Sequence, residues 1–434
     1  MGTDIGTDIP AALVRTESEY NPFAPGYVAD PYALFRELRE SPVFYSAKVQ
    51  AWIVLSYQGI LQALGDHLKR FSAMNSIRTD ADYPPEVRAI LQNGYALVRG
   101  PVNSDGAAHR RLRGLVSQVV NNDWMAGLAQ TIGRLAELRL GLLASRISDE
   151  GEADLALLFA DLPLSVMCEA FGIDRGDTGV IKNYSSDWAL FTSGPMLPLE
   201  HAKQLAMSLL EFQTYMATLL DRRRHSPGGD LLSRLLTAEY QQSRFTDDEV
   251  LAVGMQLLFA GAETVATFLS SLFLVLLQQQ AATHWQAVVQ TVQQHGEGRD
   301  GDVLLERMTD EALRFNGPVL GMFRWTLADV ELAGVRIPAN SPVQLMYASG
   351  NHDPLVFPDP QRFEPMRTNA NRHLSFGWNE HFCLGAPLGR LESRIVLEVI
   401  AKGLPRLRLS RPDEPAVYRP NAVMRGLDQL WVTL

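Results

Sequence analysis

A mainly α domain with a smaller β-rich part is what this sequence predicts, on three observations. From Arg110 to about Leu277 the apolar residues recur almost throughout at helical spacing. Between Arg324 and Tyr347 the period switches to two. No low-complexity linker or internal repeat divides the chain, so its 434 residues read as one large domain although that length also allows two or three.

The elements follow in order. Residues 1–29 read as an N-terminal extension and 30–434 as the domain. Asp30 stands as an N-cap before Pro31 at the first helical position, and Leu34, Phe35 and Leu38 supply the apolar face of that helix. Val43 to Ser46 and Ala51 to Leu55 read as short strands. The helical stretch breaks at Gly172, at Ser193-Gly194-Pro195 and at Ser226-Pro227-Gly228-Gly229, and a short loop is expected from Gly296 to Asp302. Leu251 to Leu277 is apolar and long enough to span a bilayer. Gln256, Glu263, Thr264 and Ser270 lie inside it, and a carboxylate in mid-span is costly in lipid, so a long helix buried through a soluble domain is expected instead. Val330/Leu332, Val335/Ile337 and Val343/Leu345 alternate as strands of a small sheet. From Asn351 to Phe382 the periodicity vanishes, and so long an irregular stretch in a compact domain is usually functional.

Apolar residues make up 46% and charged residues 20%, with a formal charge of -10, which describes a soluble globular chain with no electrostatic reason to bind nucleic acid. The N-terminus has no basic start followed by an apolar run, so neither signal peptide nor membrane anchor is expected and a cytoplasmic, reducing setting follows. The two cysteines, Cys168 and Cys383, exclude a disulfide framework and any CxxC motif. Each is judged alone.

Four groups of residues could carry chemistry. In FGWNEHFCLG, residues 376–385, Cys383 stands just before a helix announced by Pro387 and by apolar Leu388, Leu391, Ile395 and Val399. The positive end of a helix favours a thiolate, which both a nucleophile and a metal ligand need. A small buried core residue is the ordinary reading of a free cysteine, and pairing with His381 is disfavoured because side chains two apart rarely face each other. In AGAETV, Ala260 to Val265, the small residues also suit close helix packing. Glu311 and Arg314, three apart, share a helical face; an exposed pair of that kind is worth only a few tenths of a kcal/mol. His109 and Arg113 share another face at a spacing of four.

FGWNEHFCLG resembles the haem-thiolate loop of the cytochromes P-450, F-G-x-G-x-H-x-C-x-G. Phe376, Gly377, His381, Cys383 and Gly385 match, and Asn379 stands where the family has its second glycine. Asparagine is the non-glycine residue that best tolerates a left-handed backbone, so such a turn is expected at Asn379. AGAETV resembles the family's oxygen-activation motif, with Gly261, Glu263 and Thr264 matching. The resemblance implies that Gly261 leaves room over the iron, that the Thr264 hydroxyl bonds a backbone carbonyl one turn back, and that Glu263 relays protons. The family's Glu-x-x-Arg pair is buried and joined by a later arginine, which Arg367 in FEPMR supplies. Glu311, Arg314 and Arg367 are therefore expected to form a structural network under the cysteine loop. His109, Arg113, Arg324 and His381 match the family's donors to the two haem propionates. Departures are Asp105-Gly106-Ala107-Ala108 for Asp-Pro-Pro-Glu, Asn351-His352-Asp353 for Asn-Arg-Asp, and Asn340 for a glycine. His373 in HLSFG also matches a common family residue, with its role open.

The resemblance runs from about Asp30 to the final strand. It implies a bacterial-type P-450 monooxygenase with haem b (iron protoporphyrin IX) on Cys383, Ala260, Gly261, Phe376 and Gly385 beside the cofactor, and Glu263 and Thr264 as catalytic residues. No fused flavin or iron-sulfur domain is expected. Electrons would come from a ferredoxin and its reductase, docking near Arg110, Arg111 and Arg372. The substrate would be a lipophilic or aromatic small molecule, as in natural-product tailoring within secondary metabolism. Its pocket would be lined from residues 71–102, 188–199, 319–323 and 424–427, with Leu258 and Ala260. A monomer is expected. One alternative is non-hydroxylating oxidation, such as coupling, ring formation, O-demethylation or peroxide-driven chemistry. Another is a non-catalytic binding member, which would be expected to have lost the Glu263-Thr264 pair.

Overall fold

The structure is a computed structural model and describes residues 9–66, 69–79, 82–193, 197–278, 281–295 and 299–434. The break at Gly194-Pro195, the first eight residues and the start of the loop expected at Gly296 lie outside the described residues. Helix α1 (Pro31–Glu37) begins where its residue types dictate: the Asp30 carboxylate accepts from the N–H groups of Tyr32 (3.0 Å) and Ala33 (3.3 Å). The other helices that position the site are α2 (Gly106–Val119), α3 (Leu155–Ala170), α4 (Asp247–Leu277), α5 (Arg299–Asn316) and α6 (Ala386–Gly403). The loop expected to run to Asp302 is thus already helical at Arg299.

Six strands form the main sheet: β1 (Val14–Arg15), β2 (Val43–Ser46), β3 (Ala51–Val54), β4 (Phe71–Ser72), β5 (Met322–Thr326) and β6 (Pro342–Leu345), in the order β1-β2-β3-β6-β5-β4. The strand expected to end at Leu55 stops at Val54. β1 and β4 escaped the sequence reading because two residues carry no periodicity. Residues before Asp30 are part of this layer. Val14 and Arg15 pair with Tyr45 and Ser46, and Tyr20 is fully buried, edge-on to Tyr27 and Phe44.

α4 runs through the middle of the protein with most of its apolar stretch buried against other elements, as expected of a core helix. It starts four residues before the apolar run because its cap is polar. Thr246 Oγ1 accepts from the Glu249 N–H (3.3 Å) while Glu249 accepts from the Thr246 N–H (2.9 Å), a reciprocal pair that satisfies two otherwise orphaned donors. α3 lies against α4 so closely that a Cβ on Gly261 would sit 2.6 Å from Met167 Sδ. A side chain on Gly261 would be directed at Met167, whose flexible thioether would have to move to admit it.

Candidate active site

The cysteine loop is folded by its own backbone. Cys383 N–H donates to Phe376 O at 2.8 Å, and Gly377 N–H to Leu374 O at 2.7 Å. Two positions need the left-handed region: Gly377 at φ 70° and Asn379 at φ 60°, as expected of the asparagine that stands for glycine. Asn340, the second such replacement, also lies there at φ 59°. Asn379 is further held by a bond from its Nδ2 to Leu64 O (3.4 Å). Gly385 needs no unusual backbone angle; a Cβ there would lie 3.9 Å from Cys383 Sγ.

Cys383 is surrounded by protein yet its side chain is exposed, the combination that the wall of a cleft produces. Burial pushes the thiol up from its ordinary value; the N–H groups of Gly385 and Ala386 at the start of α6, with Arg113 and Arg390, pull the other way. The other cysteine, Cys168, sits in the core of α3 with its thiol pushed up to about 12 by burial. Only Cys383 is available to a ligand.

Beneath the loop, Glu311 and Arg314 on α5 are completely buried and joined twice, Nε to Oε2 and Nη2 to Oε1, each at 2.8 Å. Arg314 spends its remaining donors on the carbonyls of Asn351, Pro360 and Arg362. Glu311 also accepts from the Glu364 N–H (2.9 Å) and from Arg367 Nε (3.3 Å), and Arg367 reaches the carbonyls of Pro358, Asp359 and Arg362. Asn351 passes the order on: its side chain accepts from the Leu374 N–H (2.6 Å) and donates to Ser375 Oγ (2.9 Å), which donates to Leu313 O (2.6 Å). The irregular stretch from 351 to 375 is thus pinned to α5 through backbone carbonyls that no helix or sheet satisfies. Its buried His352 donates from Nε2 to Phe315 O (2.8 Å) and stacks on Tyr32 at 4.2 Å, a packing role.

Beside the loop, His109 and Arg113 on α2, Arg324 on β5 and His381 converge. The two imidazoles lie 4.2 Å apart, and both ring nitrogens of buried His109 lack a hydrogen-bond partner. Arg113 makes no hydrogen bond or ion pair among the described residues, and buried Arg324 bonds only the neighbouring Phe323 carbonyl (2.8 Å). Burial, with the Arg324 and His109 charges, lowers His381 to about 3; burial lowers His109 as well. The Asp105 carboxylate is 4.0 Å from His381 and already accepts from Ser72 Oγ (2.5 Å) and the Ala73 N–H (3.0 Å). Among the described residues neither Arg113 nor Arg324 has a carboxylate within ion-pair distance, and the two imidazoles beside them are neutral.

Midway along α4, Ala260 is exposed although Leu258 and Ala262 beside it are buried, so the central helix opens onto a cleft at this turn. Thr264 Oγ1 donates to Ala260 O at 2.7 Å. Glu263 is half-exposed and lies 3.8 Å from Arg419, a partner that the sequence reading did not single out. The Trp188 ring lies tilted against Phe259 at 5.5 Å, and Val319 bridges Met424, joining two of the segments expected to line a pocket. Arg111 is engaged by Glu249 at the start of α4, so it does not join Arg110 and Arg372 as a surface charge.

Residues 77–402 match the family described as Cytochrome P450. The chain belongs to the cytochrome P450 family. This P450 is 30% identical over 418 residues to the 6-deoxyerythronolide B hydroxylase of Saccharopolyspora erythraea, covering 93% of this chain and 96% of the relative. It is also 30% identical to the cytochrome P450 monooxygenase PikC of Streptomyces venezuelae, covering 93% and 91%. The solved structure of cytochrome P450 CREJ in complex with (4-ethylphenyl) dihydrogen phosphate superposes with a TM-score of 0.85 at 27% identity, covering 95% and 98%. The protein is a P450 monooxygenase of bacterial type in a single, mainly helical domain with a smaller sheet part. Haem is the family's cofactor, and the donor set fits it: an accessible sulfur, backbone N–H groups aimed at that sulfur, and a buried basic cluster short of two carboxylates.

Proposed function

We propose that this P450 inserts one oxygen atom from dioxygen into a lipophilic natural product of secondary metabolism, using haem b held by Cys383 Sγ. The carrying observation is the His109–Arg113–Arg324–His381 cluster, whose two arginines have no carboxylate partner among the described residues, beside an accessible cysteine. Haem, when bound, supplies the iron at which dioxygen is activated.

The chain's own residues do the rest. Arg113 and Arg324 donate to the propionates, and the neutral imidazoles of His109 and His381 add hydrogen bonds without adding charge. Gly385 and Ala386 N–H groups hold charge on the sulfur, and Phe376 shields it. Glu311, Arg314 and Arg367 fix the loop from below. On the other side, Gly261 lets α4 approach α3, Ala260 bounds the cleft, the Thr264 hydroxyl holds a proton at Oγ1, and the Glu263 carboxylate brings protons inward. We propose residues 30–434 as the catalytic unit, with the segment before Asp30 bracing the sheet.

The apolar segments around Phe259, Val319 and Met424 support a lipophilic substrate, and the hydroxylase relatives support oxygen insertion. A separate ferredoxin with its reductase is proposed as the electron source, and a cytoplasmic monomer as the working form. Exposed Arg110 and Arg372 beside the cysteine loop, in a chain of net charge -10, suit an acidic partner.

The test is a screen of lipophilic compounds for a shift in haem spin state, followed by turnover with ferredoxin and reductase. A hit that gains one oxygen atom is the expected result. In Thr264→Ala, product per electron consumed should fall about 100-fold, the lower end of the usual contribution of a positioned proton donor, while Thr264→Ser retains most of it. Undiminished product yield in Thr264→Ala overturns the role given to this residue.

A further inference from the structure

A partly buried cluster beside the cysteine loop has no role in the proposed mechanism. Asp310, the neighbour of Glu311 on α5, accepts from Arg390 Nε at 2.9 Å, and Arg390 lies on α6, the helix that begins just after Cys383. The Arg390 guanidinium stacks over the ring of Phe376 at 4.7 Å. Phe376 in turn receives the Cys383 N–H on its carbonyl at 2.8 Å. His373, with a side chain 1% exposed, packs against the same ring at 5.5 Å. Its Nδ1 accepts from the Ser375 N–H (3.2 Å), which leaves the proton on Nε2, facing Asp310 Oδ1 at 3.7 Å. A guanidinium is thus held between a carboxylate and the face of an aromatic ring whose own backbone carbonyl binds Cys383 N–H.

Arg390 is also one of the two positive charges that act on the sulfur, Arg113 being the other. Arg113 faces the propionate cluster, where bound carboxylates would offset it. Arg390 is offset only in part, by Asp310.

We infer that Arg390, positioned by Asp310 and His373, sets the electron donation of Cys383 to the iron, and that Asp310 moderates this charge. The inference rests on the reading of Cys383 as the iron ligand. Adding an electron to the site makes it more negative, so a nearby positive charge favours the reduced state and a nearby negative charge opposes it. A structural clamp would behave differently, since breaking it from either end would loosen the same loop and move the site the same way.

The test measures the ferric/ferrous midpoint potential of the haem-loaded protein in Arg390→Gln, Arg390→Lys and Asp310→Asn, alongside the reduced carbon-monoxide spectrum of each. The expected result is a shift to more negative potential in Arg390→Gln, to more positive potential in Asp310→Asn, and a value near the parent's in Arg390→Lys, all with the thiolate band retained. Shifts of one sign in Arg390→Gln and Asp310→Asn, or none in Asp310→Asn, overturn the inference. If Arg390→Gln fails to take up haem, the sign in Asp310→Asn decides. A parent protein without the thiolate band sinks the reading of Cys383 itself, which is a separate outcome.

Discussion

Glu311 and Glu263 are both glutamates paired with arginine, and the two pairs are built in opposite ways. The Glu311–Arg314 pair is wholly buried and bonded twice at 2.8 Å. The Glu263–Arg419 pair is half-exposed and 3.8 Å apart. Burying two charges is tolerable only where every remaining donor and acceptor is met, and Arg314 meets this by spending its donors on three carbonyls of the loop. A pair open to water is worth little and can separate freely. The first arrangement suits a scaffold that must not move under the cysteine. The second suits a carboxylate that must exchange protons, since it can leave its partner at small cost.

The largest effect should come from breaking the scaffold pair. Arg314→Ala leaves Glu311 buried without its partner, and denaturant unfolding should show a loss of about 3–5 kcal/mol. A loss no larger than that of a surface pair would erase the contrast between the two sites.

A third glutamate sharpens it. Glu392 on α6 is 1% exposed, its Oε1 has no partner, and burial pushes its carboxyl up to about 8. The folded chain therefore holds a proton that the unfolded chain releases near pH 4.5. The resulting stability is fully present below pH 4.5 and is lost as pH rises through about 8. Over that window the loss is on the order of 4 kcal/mol. Thermal unfolding followed across this range should slope downward in the parent and run flatter in Glu392→Gln, and an identical slope in both would contradict the assignment.

The smallest effect is expected at the exposed pair. Arg419→Ala should change unfolding free energy by less than about 1 kcal/mol, and added salt should shrink even that difference. A loss comparable to that of Arg314→Ala would show that Glu263 is anchored as firmly as Glu311 and unsuited to a proton relay.

The parts of the site legible in the sequence are those whose chemistry is local. The cysteine loop packs its ligand, its turns and its helix start into ten consecutive residues, so the left-handed Asn379 could be anticipated from residue type alone. Helix α4 was visible because twenty-odd apolar residues with interior polar groups admit few readings. What the sequence hid are partnerships between distant positions. Asp310 meets Arg390 across two helices, Glu263 meets Arg419 across the cleft, and Arg111 turns to Glu249. That Gly261 lies against Met167 of α3 was hidden in the same way. Two-residue strands such as Val14–Arg15 were invisible since pairing, not periodicity, defines them.

Whether Cys383 is the iron ligand is tested most directly by the reduced carbon-monoxide difference spectrum of the purified protein and of Cys383→Ser. Thiolate ligation predicts a long-wavelength Soret band in the parent that is lost in the variant. A parent that takes up no haem, or a variant that keeps the same band, would contradict the account.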